Sequence, residues 1–188
     1  MKNKLENYVV VIKDAVPKKL CDKAIQELKF VNWTQHKFYN HQTREHKALS
    51  GDKELEFSGD LIESHDEIMM RVWQGIKQYV EYYKLPWFSG WSGHSDLKYN
   101  RYKKGQLMRE HCDHITDLFE GEKRGIPTLS VIGALNNNYS GGEFVMFKDK
   151  EYQFKKGDLI IFPSNFLYPH EVKLVTKGTR YTYVSWVY

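Results

Sequence analysis

A chain of 188 residues with 41% hydrophobic and 15% aromatic content is long enough to bury one substantial core and too rich in Tyr, Trp and Phe for disorder. Its net charge of +4 comes from Lys and Arg interleaved with Asp and Glu, which reads as a solvated surface of both signs and disfavours a nucleic-acid groove. The two cysteines, Cys21 and Cys112, are too few for a disulfide framework or a Cys-rich zinc site and fit a reducing compartment.

Met1 to Asn7 is polar and leads into the short apolar run Tyr8 to Ile12, which reads as a strand. Neither a secretory apolar region nor a membrane span is evident, so a soluble, cytoplasmic protein is expected. Val16-Pro17 opens a helix running to Phe30, with Pro17 tolerated in the first turn and Leu20, Ala24, Ile25 and Leu28 forming one apolar face. The stretch from His36 to Asp60 lacks sustained periodicity and reads as long irregular loops with at most a short strand.

Ser64-His65-Asp66-Glu67 has the Ser-x-x-Glu form of a capping box. Ile68, Met69, Val72, Trp73, Ile76, Tyr79, Val80 and Tyr83 follow at helical spacing. Trp73, Ile76 and Tyr79 are expected in the core, and the helix should stop near Leu85-Pro86. From Asp96 the texture changes to short β-rich runs: 96–102, 106–113, 128–135, 143–147, 151–154, 158–162, 171–175 and 180–187. Strands of this length and spacing predict a β-sandwich or jelly roll. Asn136 to Asn138 reads as a turn, and Gly141-Gly142 as a source of turn conformations closed to other residues.

His111 and Asp113 fall two apart on a predicted strand, so both project from one face while Cys112 points away. An isolated His-x-Asp is more often a surface pair. Here a second histidine, His170, follows far along the chain, and two histidines with one carboxylate form the facial triad of non-haem Fe(II) oxygenases. Arg180 comes ten residues after His170, past Lys177-Gly178, and opens an alternating strand on which Thr182 shares its face. Together they could clamp a carboxylate through a guanidinium fork and a hydroxyl. His114 is a weaker rival ligand that strand alternation disfavours, while His36, His41, His46 and His65 read as surface or loop residues. Glu143 reads as a solvated strand end and Trp186 as core packing.

The order of these features resembles the Fe(II)/2-oxoglutarate dioxygenases, and among them the prolyl 4-hydroxylase-like group. The resemblance covers about half the chain, from Leu97 to Tyr188. It rests on Asn100-Arg101-Tyr102 with Gly105, His111-Cys112-Asp113, Ser130 to Asn136, Gly141-Gly142-Glu143-Phe144, Lys156 to Pro163, His170, Gly178, Arg180 and Trp186. The sequence departs from the group at Ala134 and Met108, where tyrosines are common, and at Arg180, where collagen-type members carry lysine.

The resemblance implies a mainly β (α+β) fold, a double-stranded β-helix (jelly roll) with supporting N-terminal helices. A single domain would span residues 1–188, with 1–90 as helical support and lid and 95–188 as the catalytic core. His111, Asp113 and His170 would hold Fe(II), Arg180 the distal carboxylate of 2-oxoglutarate, and Tyr102 and Thr182 would contact the co-substrate. Dioxygen would be consumed and succinate and carbon dioxide released, with ascorbate as an accessory reductant to test.

By the same resemblance the substrate is a prolyl residue of a peptide or protein. A free amino acid, another side chain or a small metabolite is the alternative for the same chemistry. A non-catalytic jelly-roll binding module and a cupin-type metal protein are readings of other classes, and neither gives Arg180 and Thr182 a use. No membrane partner is expected, and the 36–60 region is expected to order on substrate binding.

Overall fold

The computed structural model describes residues 4–40, 45–47, 53–85, 93–113 and 127–188. A short 3-10 turn, Leu5–Tyr8, precedes strand β1 (Val10–Ile12) and helix α1 (Lys18–Glu27). Four short strands follow: β2 (Thr34–Gln35), β3 (Phe38–Asn40), β4 (Glu45–Lys47) and β5 (Glu56–Ser58). Helix α2 (His65–Tyr83) leads to β6 (Lys98–Lys103), β7 (Met108–His111), β8 (Leu129–Ala134), β9 (Ser140–Gly141) and β10 (Phe144–Met146). The chain ends with β11 (Lys150–Glu151), β12 (Leu159–Pro163), β13 (His170–Val172), β14 (Val175–Lys177) and β15 (Thr179–Val187).

A seven-stranded sheet in the order β1-β12-β8-β15-β6-β5-β2 stands against a four-stranded sheet, β11-β10-β13-β7. Both are antiparallel, and their pairing gives the expected jelly roll. Strand alternation divides the large sheet into two faces. Tyr99, Val131, Leu159, Ile161, Tyr183 and Val187 point outward and pack under the helices. Tyr102, Ile132, Ala134, Ile160, Phe162 and Val184 point inward toward Phe144, Met146 and Val172 of the small sheet.

The helices cover the outer face because their apolar residues recur every turn. Ile68, Val72, Ile76 and Tyr79 are buried along α2, and Leu20, Cys21 and Ala24 along α1. Each fully buried aliphatic side chain of this kind contributes about 1.5–3 kcal/mol. Gly75 lets α2 lie close to the sheet, since a Cβ there would come within 2.7 Å of Leu159 Cδ1. The helix ends at Lys84, which adopts a left-handed conformation with φ of 50°.

Several expectations change. The Ser64 hydroxyl does not cap α2. It donates to Glu27 Oε1 at 3.0 Å while the Ser64 N–H donates to Glu27 Oε2, so the residue joins the two helices instead. His65 is buried at 6% exposure, with Nδ1 3.4 Å from the Tyr99 hydroxyl, and is not a surface histidine. Trp73 is 39% exposed and lies outside the core, because helical spacing alone does not say how far a sheet extends beneath a helix.

The region between the helices is more than a loop. β5 pairs with β6 in the large sheet, β2 pairs with β5, and β3 with β4, so the N-terminal half supplies strands as well as helical support. The expected ordering of the 36–60 region falls partly on residues 41–44 and 48–52, outside the described residues, as do the rival ligand His114 and Pro86.

Candidate metal centre and anion site

β13 and β7 pair so that His170 faces His111, with a register shift between His170 and Val172, and the two ring centres lie 4.4 Å apart. Asp113 lies just beyond the end of β7. One ligand atom from each of these three residues falls within 4.8 Å of the others. The Nε2 atoms of His111 and His170 lie 3.6 and 3.7 Å from Asp113 Oδ1. Each Nδ1 faces a backbone carbonyl, Arg109 O at 2.7 Å and Tyr168 O at 3.1 Å. An Nδ1–H donating to a carbonyl fixes the ring and leaves the Nε2 lone pair directed at the centre, the usual outer support of a metal-binding histidine.

The surroundings sharpen this electrostatic picture. Burial pushes the His170 imidazole down to about 4, so it is neutral at physiological pH; Phe144 and Phe162 flank it at 5.4 and 5.0 Å. Burial alone would raise the Asp113 carboxyl, but the two histidines and the Ser130 hydroxyl outweigh it and hold the group well below the usual carboxylate range. Burial acts to lower His111, and Asp113 overcomes it and holds that ring above its ordinary value. The cluster therefore attracts one positive charge, a proton on His111 or a cation among three N/O donors.

Ser130 is a site residue that sequence reasoning did not single out. Its hydroxyl donates to Asp113 Oδ2, and the Ser164 hydroxyl lies 3.0 Å behind it. The available signal was one hydroxyl on the inward face of the otherwise apolar strand β8.

Arg180 lies on the same sheet, opposite Tyr102 on β6. It is 2% exposed; its Nη1 donates to Thr182 Oγ1 at 3.5 Å and its guanidinium lies 4.9 Å from the Tyr102 ring centre. Burial pushes the Tyr102 phenol up to about 12, so it stays protonated and can donate. The Nε of Arg180 is buried without a partner, and among the described residues no carboxylate pairs with this guanidinium. A buried, unpaired cation is costly, so the missing element here is an anion.

A cavity of about 330 Å³ opens beside it, lined in part by Tyr139, Gly142, Phe144, Tyr152 and Phe154; His111, Asp113 and His170 lie outside this lining. Gly142, with φ of 69°, keeps the approach open, since a Cβ would meet Arg180 Cδ at 3.1 Å. The two parts thus fit a divalent cation and a carboxylate ligand. Phe144 joins them, lining the cavity and touching His170. Among the described residues no helix is long and apolar enough to cross a membrane.

Known proteins match along the same lines. The model of the 2OG-Fe(II) oxygenase superfamily matches residues 97–188. A PKHD-type hydroxylase of Idiomarina loihiensis is 31% identical over 91 residues, 47% of this chain and 39% of that protein. One from Prochlorococcus marinus is 32% identical over 77 residues, 39% of this chain and 34% of the relative. The chain therefore spans well under half the length of the curated relatives it matches.

Among solved structures, the viral collagen prolyl hydroxylase of Paramecium Bursaria Chlorella virus-1, in complex with 2OG, superposes with a TM-score of 0.68. It is 15% identical, with 98% of each chain covered. A Trichoplax adhaerens prolyl hydroxylase in complex with a hypoxia inducible factor peptide also gives 0.68 at 15% identity, covering 97% of this chain and 84% of that one. At such identities the likeness establishes the shared fold. The sequence match itself covers residues 97–188, the stretch that holds His111, Asp113, His170 and Arg180, and likens it to the 2OG-Fe(II) oxygenase superfamily.

Proposed function

We propose that the protein is an Fe(II)- and 2-oxoglutarate-dependent dioxygenase that hydroxylates an unactivated carbon, with a prolyl residue of a peptide or protein as the substrate. The observation that carries this reading is the pairing of three convergent N/O donors with a buried guanidinium that lacks a counter-ion. In this reading His111 and His170 ligate iron through Nε2 and Asp113 through its carboxylate. When bound, Fe(II) with 2-oxoglutarate and dioxygen supplies the oxidising power, and succinate and carbon dioxide are the co-products.

The chain's own residues bind, orient and exclude water. Arg180 grips the distal carboxylate of 2-oxoglutarate through its guanidinium fork, while Thr182 and Tyr102 offer hydroxyl donors on either side. Ser130 holds the Asp113 carboxylate in one rotamer, leaving Oδ1 for the metal. Phe144 and Phe162 pack on His170 and keep that side of the centre dry.

The prolyl assignment is supported by the fold shared with prolyl hydroxylases and by the peptide held by the Trichoplax adhaerens protein. The free thiols of Cys21 and Cys112 are compatible with a cytoplasmic setting, which we include in the proposal. The decisive experiment incubates the Fe(II)-loaded protein with 2-oxoglutarate and proline-containing peptides and reads both succinate release and a mass gain of one oxygen atom. Succinate release coupled to oxygen gain on proline is expected. Coupling confined to a free amino acid or metabolite would replace the substrate, and no 2-oxoglutarate turnover under any condition would remove the enzymatic reading.

A further inference from the structure

Arg180 is not the only cation inside the barrel. The inward residues of β6 are Lys98, Asn100 and Tyr102; those of β15 are Arg180, Thr182, Val184 and Trp186; β8 and β12 add Ser130, Ile132, Ala134, Ile160 and Phe162. Among these inward residues only Arg180 and Lys98 carry charge. Arg180 faces Tyr102, whereas Lys98 faces Val184. Four residues of strand separate the two positions, roughly 13 Å.

Lys98 stands at the metal end. Its ammonium rests 4.0 Å from the centre of the Phe57 ring, and Asp113 is the one carboxylate that acts on it through space. Asp113 is already engaged, with Oδ1 toward both histidines and Oδ2 toward Ser130. Among the described residues Lys98 makes no hydrogen bond and no ion pair, and its half-buried ammonium keeps contact with solvent, so its three N–H donors are available to a ligand that enters the barrel. A second donor on the same inner face is also idle, because the Trp186 indole Nε1 is buried without an acceptor. Val184 and Ile132 show that an apolar residue suits this surface. A lysine here incurs desolvation that its surroundings do not offset.

We infer that Lys98 is the receptor for a carboxylate on the substrate, so that the molecule oxidised carries a carboxylate near its target carbon. This rests on the dioxygenase reading and narrows its substrate class. The carboxylate has two sources of the same chemistry: the main-chain carboxylate of a free amino acid or chain end, or an Asp or Glu side chain beside the target residue. The nearby Phe57 ring holds the ammonium from one side and leaves its other donors for the anion.

The test uses probes in pairs that differ only as carboxylate and carboxamide. One set is free L-amino acids, proline included, with their amides. The other is acetylated, amidated peptides with Asp or Asn beside the target residue. Binding is read by ligand-observed NMR on protein loaded with Zn(II) and 2-oxoglutarate. Wild type is expected to favour the carboxylate member of at least one pair by about tenfold to a hundredfold, the range for a charge-assisted hydrogen bond.

Lys98→Met should erase that preference while the protein unfolds at the wild-type temperature, and Lys98→Arg should retain part of it. The first set responding alone assigns a free carboxylate, and the second alone a side-chain one. Equal or absent binding of both members of every pair overturns the proposal. So does a loss of 2-oxoglutarate affinity in Lys98→Met as steep as in Arg180→Ala, which would assign Lys98 to the co-substrate. A carboxylate preference confined to probes without proline would sink the prolyl reading and leave Lys98 in its role.

Discussion

The two faces of β15 belong to different regimes. Outward, Tyr183 and Val187 are at most 1% exposed in the layer between sheet and helices, where the packing is largely apolar and the Tyr183 hydroxyl is buried without a partner. Inward, Arg180 and Thr182 are as deeply buried, yet the guanidinium has an unpartnered Nε. Burial alone therefore does not mark the site. The orphan on the outer face is a neutral hydroxyl, whereas the inner face holds a charged guanidinium whose counter-ion must come from outside the chain. Stability and function are in this way assigned to alternate residues of one strand, and substitutions on the two sides should separate cleanly.

The largest effect should come from the metal cluster. Asp113→Ala removes the one anionic donor, and metal affinity should fall by more than the roughly tenfold to hundredfold typical of outer-sphere changes, with turnover abolished. Metal content after dialysis and succinate release check this, and normal iron with full 2-oxoglutarate decarboxylation would remove Asp113 from the centre.

Next is Arg180→Ala, for which the 2-oxoglutarate dissociation constant should rise about thirtyfold to several thousandfold, from the ~2–5 kcal/mol of a buried charge-assisted pair. Lys98 is too far along β6 to substitute for it, and Arg180→Lys should fall between, because lysine offers a point charge in place of a fork. Anaerobic titration followed by the metal-to-ligand charge-transfer band decides the matter. Equal affinity in wild type and Arg180→Ala would dissolve the contrast between the two faces.

An outer-face change should do the reverse. A Cβ at Gly133 would lie 2.0 Å from the Tyr183 ring, a clash that only a shift of strand or ring relieves. Gly133→Ala should cost about 3 kcal/mol, lowering the melting temperature by roughly 6–12 °C for a chain of this size. The surviving folded fraction should bind 2-oxoglutarate as wild type does. A large affinity loss without a melting shift would show that the faces are coupled.

The smallest and most discriminating change is Ser130→Ala. Its hydroxyl sits on the inner face of β8 and touches Asp113 without belonging to the trio. Metal affinity should drop about tenfold to a hundredfold with little change in melting temperature. Isothermal titration with Zn(II) measures it, and an unchanged affinity would make the hydroxyl a packing group only.

The candidate ligand residues could be singled out in the sequence because metal chemistry favours such residue types at short spacing, and the structure brings them together although β7 ends at His111, before Asp113. His111 and Asp113 are two apart, and Arg180 and Thr182 repeat that interval. The supporting residues could not be singled out, because each depends on a partner far along the chain. Ser64 looks like a cap in sequence and binds Glu27 in the structure; His65 looks exposed and meets Tyr99; Ser130 looks like an ordinary strand residue and orients Asp113. Lys98 likewise reads as the polar half of an alternating strand until the register places it inside the barrel.

By itself, the sequence determined the two helices, the run of short strands after Asp96, and which side chains could coordinate a cation or an anion, since these follow from side-chain chemistry and from repeats of two or 3.6 residues. Only the tertiary structure decided which way each strand faces, which hydroxyl supports which carboxylate, and that β1 and β5 from the N-terminal half complete the large sheet. Those outcomes rest on pairings between residues distant in sequence, such as Phe57 with Asn100 and Val11 with Ile160, and a one-residue slip in a strand pairing would turn the inner face outward.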